Sequence, residues 1–118
     1  MSAADARALA VVAARAADDK KAEDVRVLQV GDVLGITEFF VIASASNRRL
    51  VKTLIDHAEA VVRQELGRSP VRSEGVGELQ WVLLDYGDVV IHVFTEEVRA
   101  YYEIERLYRD VPSVDWRV

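Results

Sequence analysis

The residues best suited to chemistry lie in one stretch, LQWVLLDYGDVVIHVF, Leu79 to Phe94. This stretch places a tryptophan, two aspartates and a histidine among branched apolar residues around a single Tyr-Gly. Asp85 and Asp88 could form a carboxylate pair for metal binding or acid/base work. Turns favour aspartate in any case, because its side chain bonds nearby backbone amides. We therefore interpret the two aspartates as turn residues.

The two histidines do not point to a metal site. His57 and His92 fall on different predicted elements, and neither has ligand spacing around it, so zinc would need additional carboxylates. We expect His57 at an exposed or boundary position of a helix. His92 is either a satisfied histidine in a second core layer or a polar spot on a binding face, and the sequence leaves both open. No cofactor is expected.

The small and polar segments carry no catalytic signature. IASASNRR is rich in serine but contains no nucleophile elbow. The glycines of GDVLG and EGVG do not follow a strand into a helix in the phosphate-binding pattern, so both segments are predicted to be turns.

Composition limits the classes of partner. With 118 residues the chain has room for one domain, which we place at residues 1–118. It contains no cysteine, so a disulfide framework or thiolate zinc site is excluded, and a cytoplasmic setting is the default. The apolar run ALAVVAA is too short to cross a bilayer, so no membrane role is expected.

The formal net charge of −5 argues against direct nucleic-acid readout. Sequence-independent binding of nucleic acid depends on neutralisation of phosphates by lysine and arginine, and this chain has no excess of either. The local basic group of Arg48, Arg49 and Lys52 is interpreted as the solvated first turn of a helix. If the chain contacts a nucleoprotein, its negative net charge favours contact with a basic protein component.

Periodicity predicts three main helices. The first spans Ser2 to about Asp18, with Ser2 and Asp5 as a capping pair. The second is capped by Ser46, ends at Gly67 and has one broad apolar face that covers a sheet. The third begins after Thr95, with packing residues at Val98, Tyr101, Tyr102, Ile104 and Leu107.

Strands are predicted between these helices. Val25 to Val30 alternates, Phe39 to Ser44 is a continuous apolar run expected to be buried on both faces, and a short strand is allowed around Val71. With the hairpin of Leu79 to Phe94, the order is α-β-β-α-β-β-α. The fold class is therefore α/β (α+β), a mixed β-sheet flanked by helices.

A two-residue turn at Tyr86-Gly87 would make Trp81 face His92 across the hairpin. Alternation then gives an apolar face of Val82, Leu84, Val89, Ile91 and Val93, and a mixed face of Trp81, Leu83, Asp85, Val90, His92 and Phe94. The apolar face is core. The mixed face is either a second core layer or a partner site, since tryptophan is enriched at binding hot spots.

Several blocks of this chain carry a specific resemblance. They are Asp19 to Ala22, Thr37 to Ser44, Glu74-Gly75, Trp81 to Phe94, Arg99, Tyr102 and Glu105 to Leu107. Together they resemble the ribosomal silencing factor family, RsfS, also called Iojap-like, from about Asp19 to Pro112.

The resemblance implies a non-catalytic factor with a nucleotidyltransferase-like α/β fold. Members of the family bind the large ribosomal subunit through ribosomal protein L-fourteen, hinder joining of the small subunit, and so repress translation when nutrients are scarce. Free members are often homodimers.

On this resemblance and the mixed face, we expect a partner-binding surface anchored by Trp81. Asp85 and Glu74 would pair with basic side chains of the partner. The remaining expected members shape the surface and its rim: Leu83, Tyr86, His92 and Pro112. The same face could instead mediate homodimerisation.

Two other functions stay open. An active nucleotidyltransferase-like enzyme would place Gly-Ser after a strand and hold two magnesium ions with a spaced aspartate pair. The corresponding region here reads ASASNRR, without Gly-Ser, and the core contains no Asp-x-Asp. A homodimeric scaffold with an unrelated partner is the other alternative.

Overall fold

The computed structural model describes residues 2–117 as a mixed sheet of six strands with helices on both of its faces. The helices are α1 Ala3–Asp19, α2 Gly31–Leu34, α3 Arg48–Leu66, α4 Glu96–Tyr102 and α5 Ile104–Leu107, and the strands are β1 Glu23–Gln29, β2 Phe39–Ala45, β3 Arg72–Glu74, β4 Trp81–Asp85, β5 Val89–Thr95 and β6 Ser113–Val114. This architecture confirms the predicted fold class. The additional elements α2, α5 and β6 are short, and β3 lies just after the position allowed for a strand at Val71.

The sheet has the strand order β3-β4-β5-β2-β1-β6. Strands β2 and β5 run parallel, and all other neighbours are antiparallel. All seven residues of β2 are buried, because helices cover the sheet on both faces at its centre. The continuous apolar run of this strand is thereby explained, and its predicted burial on both faces is confirmed.

One face of the sheet packs against α1 and α3. The capping pair predicted for α1 is present, since the Ser2 hydroxyl accepts from the Asp5 amide at 3.2 Å and the Asp5 carboxylate accepts from the Ser2 amide. Helix α3 is capped by Asn47 rather than Ser46, because its first turn starts one residue later and the Asn47 side-chain oxygen accepts from the Leu50 amide at 2.8 Å. The helix ends at Gly67 in the left-handed conformation, as predicted.

The opposite face carries a second, smaller core. Its buried members are Leu28, Val30, Phe40, Ile42, Phe94 and Ile104. The third predicted helix is divided here, since Glu103 has a φ of 46° and separates α4 from α5. Tyr101 and Leu107 are exposed, and their predicted role in packing is wrong.

The hairpin register differs from the prediction. Trp81 pairs with Phe94, and Leu83 pairs with His92. The reason is that Gly87-Asp88 forms the turn, which is closed by a hydrogen bond from the Tyr86 amide to the Val89 carbonyl. The turn is therefore one residue further along than Tyr86-Gly87. The pairing shifts by two positions, an even number, so the predicted composition of both faces is retained.

The chain after α5 closes the far edge of the sheet. Strand β6 pairs with β1, and the Trp116 indole is buried and donates to the Val25 carbonyl at 3.0 Å. Within residues 2–117, no helix is both long and apolar enough to cross a bilayer.

Candidate partner-binding surface

Trp81 lies half-buried at the start of β4. Its indole stacks on Phe94 at a centroid distance of 4.8 Å, and the ring of Tyr102 approaches it at 5.0 Å. Its N–H points inward and donates to Nδ1 of His92 at 3.2 Å. The indole is therefore held by the second core on one side and remains accessible on the other.

His92 belongs to the second core layer, which decides between the two alternatives left open for it. It is 6% exposed, and burial lowers its pKa to about 4. Since Nδ1 accepts from Trp81, the proton of the neutral ring lies on Nε2, which has no hydrogen-bond partner within the described residues. His92 consequently supports the surface from below, and its assignment to the rim is corrected. His57, in contrast, is half-buried on α3, the expected boundary position.

Tyr86 also lies away from the surface. It is 1% exposed and packs in the core beneath α1 and α3, where burial raises its pKa to about 12. Alternation explains this position, since Tyr86 follows Leu84 on the apolar face of β4. The assignment of Tyr86 to the rim is therefore corrected as well.

Leu83 and Glu74 share the face of Trp81. Leu83 is half-buried two residues along β4, and Glu74 is exposed and pairs directly with it from the edge strand β3. Directly opposed residues of antiparallel strands lie on the same face. The structure thus brings Trp81, Leu83 and Glu74 together.

Both aspartates of the hairpin have internal partners. Asp85 accepts from the Gly87 amide at 2.8 Å and from Nε of Arg72 at 3.0 Å. Asp88 receives two hydrogen bonds from Arg68, at 2.8 and 3.0 Å. The turn interpretation of the two aspartates is confirmed, and neither carboxylate is a free acceptor.

Pro112 is exposed but distant from Trp81. Its carbonyl accepts from the Gln29 amide at 2.9 Å, next to β6 at the opposite edge of the sheet. Three strand spacings separate β4 from β1, roughly 15 Å at the usual spacing. Pro112 therefore does not join the surface around Trp81.

An open groove of about 570 Å³ adjoins Trp81 and was not predicted. It is lined by Gly75, Glu78, Gln80, Trp81, Glu97, Val98, Tyr101 and Tyr102. Tyr101 is 81% and Tyr102 53% exposed, although both were assigned to helix packing. Adjacent residues of a helix point about 100° apart, and this divergence was the signal in the sequence that the two tyrosines do not share one packing direction.

Gly75 sets the backbone of this groove. Its φ is +79°, and a Cβ at this position would overlap the carbonyl oxygen of Trp81. Its own carbonyl accepts from the Leu79 amide at 3.0 Å, which closes the loop between β3 and β4. Glycine here allows the loop to lie directly against the start of β4.

A second groove, of about 540 Å³, is polar and internally balanced. The buried Arg99 donates to Glu105 at 2.8 Å and to the Ser44 hydroxyl at 3.0 Å, and it ties α4 to α5 and β2. Both acidic and basic side chains line it. Across the described part of the chain, no cluster of three or more histidines or carboxylates could hold a metal ion.

Comparison with known proteins identifies the family. A family model described as "Ribosomal silencing factor during starvation" matches residues 3–118. A ribosomal silencing factor RsfS from Halalkalibacterium halodurans is 42% identical over 104 residues, which cover 88% of each chain.

Two further relatives extend the comparison. A protein of known crystal structure from Chromobacterium violaceum superimposes with a TM-score of 0.81 at 31% identity, covering 100% of this chain and 94% of that one. A mouse protein named "Mitochondrial assembly of ribosomal large subunit protein 1" is 31% identical over 91 residues, which cover 75% of this chain and 40% of the mouse chain. Because the family model and the bacterial relative extend over most of the sequence, this chain belongs to the ribosomal silencing factor (RsfS) family.

Proposed function

We propose that this chain represses translation in the cytoplasm by binding the large ribosomal subunit through ribosomal protein L-fourteen. A bound domain of this size on the joint-facing side would exclude the small subunit by steric hindrance. This mechanism requires neither turnover nor a cofactor, so the proposed role is regulatory rather than enzymatic.

One observation carries the proposal: the partly exposed indole of Trp81 on the surface of an acidic chain. An aromatic side chain held rigidly by its neighbours can enter a pocket of a partner at little entropic cost. The net charge of −5 suits a basic ribosomal protein better than bare RNA. Family membership and the large-subunit name of the mouse relative point to the same assembly.

Within this proposal, the contact surface consists of Trp81, Leu83 and Glu74, which share one face. Trp81 is the anchor, Leu83 extends the apolar contact, and the exposed Glu74 pairs with a basic side chain of the partner. Asp85 acts mainly within the chain, because it would have to leave Arg72 in order to pair elsewhere.

We also propose that the free chain pairs with a second copy through the same face. The partly exposed Trp81 and the exposed Tyr102 would then be covered in the dimer and released on docking. Light scattering of the purified chain checks this, since Trp81→Ala should shift a dimer towards monomer.

Co-sedimentation with isolated large subunits tests the main proposal. The wild-type chain should sediment with large subunits and lower the yield of joined ribosomes. Trp81→Ala should weaken binding by about thirtyfold, the effect of losing roughly 2 kcal/mol at a hot spot.

The matched control is Ile36→Ala, which truncates an apolar side chain that is 88% exposed beside the Gly87-Asp88 turn, at the other end of β4. It should bind like the wild type. Failure of the wild-type chain to sediment with large subunits would overturn the function, and unchanged binding by Trp81→Ala would remove this face from the site.

A further inference from the structure

We propose that the groove beside Trp81 receives an arginine side chain of the basic partner. This inference rests on the proposed function, because it assumes that a basic protein docks on this face. It assigns the recognition of charge to Glu78 and Glu97 on the groove rim, neither of which was among the predicted site residues.

The walls of the groove are aromatic. Trp81 and Tyr102 have ring centroids 5.0 Å apart at an interplanar angle of 47°, and Tyr101 meets Tyr102 edge-on at the same centroid distance. Since the Trp81 N–H is bonded to His92, the indole offers the groove only its π-surface. Such a surface attracts cations and gives no hydrogen bond to an anion.

The rim of the groove is acidic. Glu78 and Glu97 line it, and no lysine or arginine is among its lining residues. Neither glutamate takes part in an ion pair with another residue of the range 2–117. The groove thus combines two uncompensated carboxylates with exposed aromatic rings, an arrangement complementary to a cation.

Two comparisons within the chain strengthen this assignment. Asp85, on the same face, is already paired with Arg72 at 3.0 Å. The polar groove around Arg99 has arginines as well as carboxylates in its lining, so a cation entering it would meet like charge. The groove beside Trp81 differs from both in having carboxylates and no lysine or arginine in its lining.

Arginine fits this chemistry better than lysine. A planar guanidinium stacks on aromatic rings and can donate to carboxylates through two parallel hydrogen bonds. It is also less strongly hydrated than an ammonium group, so it loses less on entering a groove with apolar walls. We therefore assign the groove to an exposed arginine on a loop or strand of the partner.

A peptide titration tests this inference without the ribosome. Hexaarginine amide is added to the isotope-labelled chain, and the Trp81 indole N–H and the Gly75, Glu97 and Tyr102 amides are followed by NMR. These signals should shift together with hexaarginine, shift at about tenfold higher concentrations with hexalysine, and stay unchanged with hexacitrulline. Equal affinity for hexaarginine and hexalysine would overturn the choice of arginine.

The double variant Glu78→Gln/Glu97→Gln should lose at least about tenfold in affinity for hexaarginine. Its matched control, Asp32→Asn/Glu65→Gln, removes the same charge from exposed positions outside the groove and should behave like the wild type. Equal losses in both variants would indicate a general charge effect and would overturn the inference, as would shifts confined to another surface.

The same two variants separate this inference from the proposed function. If the wild type sediments with large subunits and the double variant sediments equally well, the function stands and the arginine site is wrong. If the peptide titration succeeds but the wild type does not sediment, the groove binds arginine and the ribosomal function is wrong.

Discussion

The indole nitrogen of Trp81 donates to Nδ1 of His92 across the β4–β5 pair at 3.2 Å. A partly exposed aromatic residue is thereby fixed by a buried imidazole. The hydrogen bond and the stacking on Phe94 leave the indole little rotational freedom. The surface around it is therefore preorganised, which would lower the entropic cost of the proposed binding.

The buried His92 should make stability depend on pH. Its folded-state pKa is about 4, below the usual 6.5, so the unfolded chain binds a proton more readily. Above pH 6.5 His92 is neutral in both the folded and the unfolded chain, so it costs no stability. As the pH drops from 6.5 to about 4, the unfolded chain takes up the proton first, and the free energy of unfolding should fall. The loss over this window is on the order of 3 kcal/mol.

Urea unfolding of the wild type and of His92→Leu at several pH values measures this effect. The variant should be less stable at pH 7, because the Trp81 N–H loses its acceptor, but it should lose less stability between pH 6.5 and 4. All other ionisable groups are common to the two proteins, so the difference between their curves isolates His92. Parallel curves would contradict the prediction.

Gly75→Ala should destabilise the loop that leads into Trp81. The substitution introduces a Cβ against the Trp81 carbonyl and places alanine at a φ of +79°. We expect a loss of about 2 kcal/mol in the free energy of unfolding. Gly77→Ala is the control in the same loop, because a Cβ there meets open space; it should change stability by less than about 0.5 kcal/mol. Similar losses in the two variants would argue against the close approach.

Arg99→Met should be strongly destabilising. The substitution leaves Glu105 as a largely buried carboxylate without its partner and removes the bond to Ser44, which should cost about 3–5 kcal/mol. Arg26 and Arg99 both form an ion pair with Asp24, but Arg26 is exposed. Arg26→Met should therefore cost less than about 1 kcal/mol. Chemical denaturation of both variants makes the comparison, and equal effects would show that burial of Arg99 is not decisive.

Trp116→Ala should open the edge of the sheet at β1. It removes a buried indole and leaves the Val25 carbonyl without its donor, so we expect a loss of about 3–5 kcal/mol. Arg117→Ala, which removes a guanidinium 4.3 Å from the Trp116 ring centroid, should cost below about 1 kcal/mol. Amide exchange of β1 residues gives the local readout, and unchanged protection in Trp116→Ala would refute the prediction.

Periodicity was sufficient to predict the elements that bury a continuous face. The apolar stripe of α3 was predicted from its spacing, and Val51, Leu54, Ile55, Ala58 and Val62 are buried. The faces of the hairpin were predicted for the same reason, since alternation assigns each residue to one side. The family was recognised from the hairpin block together with shorter blocks, and the comparisons confirm it.

Periodicity could not predict which residues pair across the hairpin. Both dipeptides that contain Gly87, which has a φ of 89°, are reasonable turns, and alternation fixes the face of a residue but not its partner. The burial of Tyr86 likewise depends on α1 and α3, which are distant in sequence. An isolated Trp116 without a periodic context gave no signal that the tail would join the sheet.

The candidate site was also predicted only in part, because some of its residues meet through contacts between segments that are distant in sequence. Trp81, Leu83 and Glu74 lie together because β3 and β4 pair, and the first two were predictable from alternation alone. The groove arises where the loop at Gly75 meets α4, two segments whose contact is tertiary. Tyr101, Tyr102 and Glu97 therefore became candidates only once α4 was placed against the hairpin.

The bond from Trp116 to Val25 joins positions 91 residues apart in the chain. Contacts between such distant positions form slowly, so the pairing of β6 with β1 is expected late in folding. Until then, β1 presents unpaired backbone groups on one side and can add a strand from another molecule. We therefore expect the tail from Ser113 to Trp116 to limit self-association of the chain once it has paired with β1.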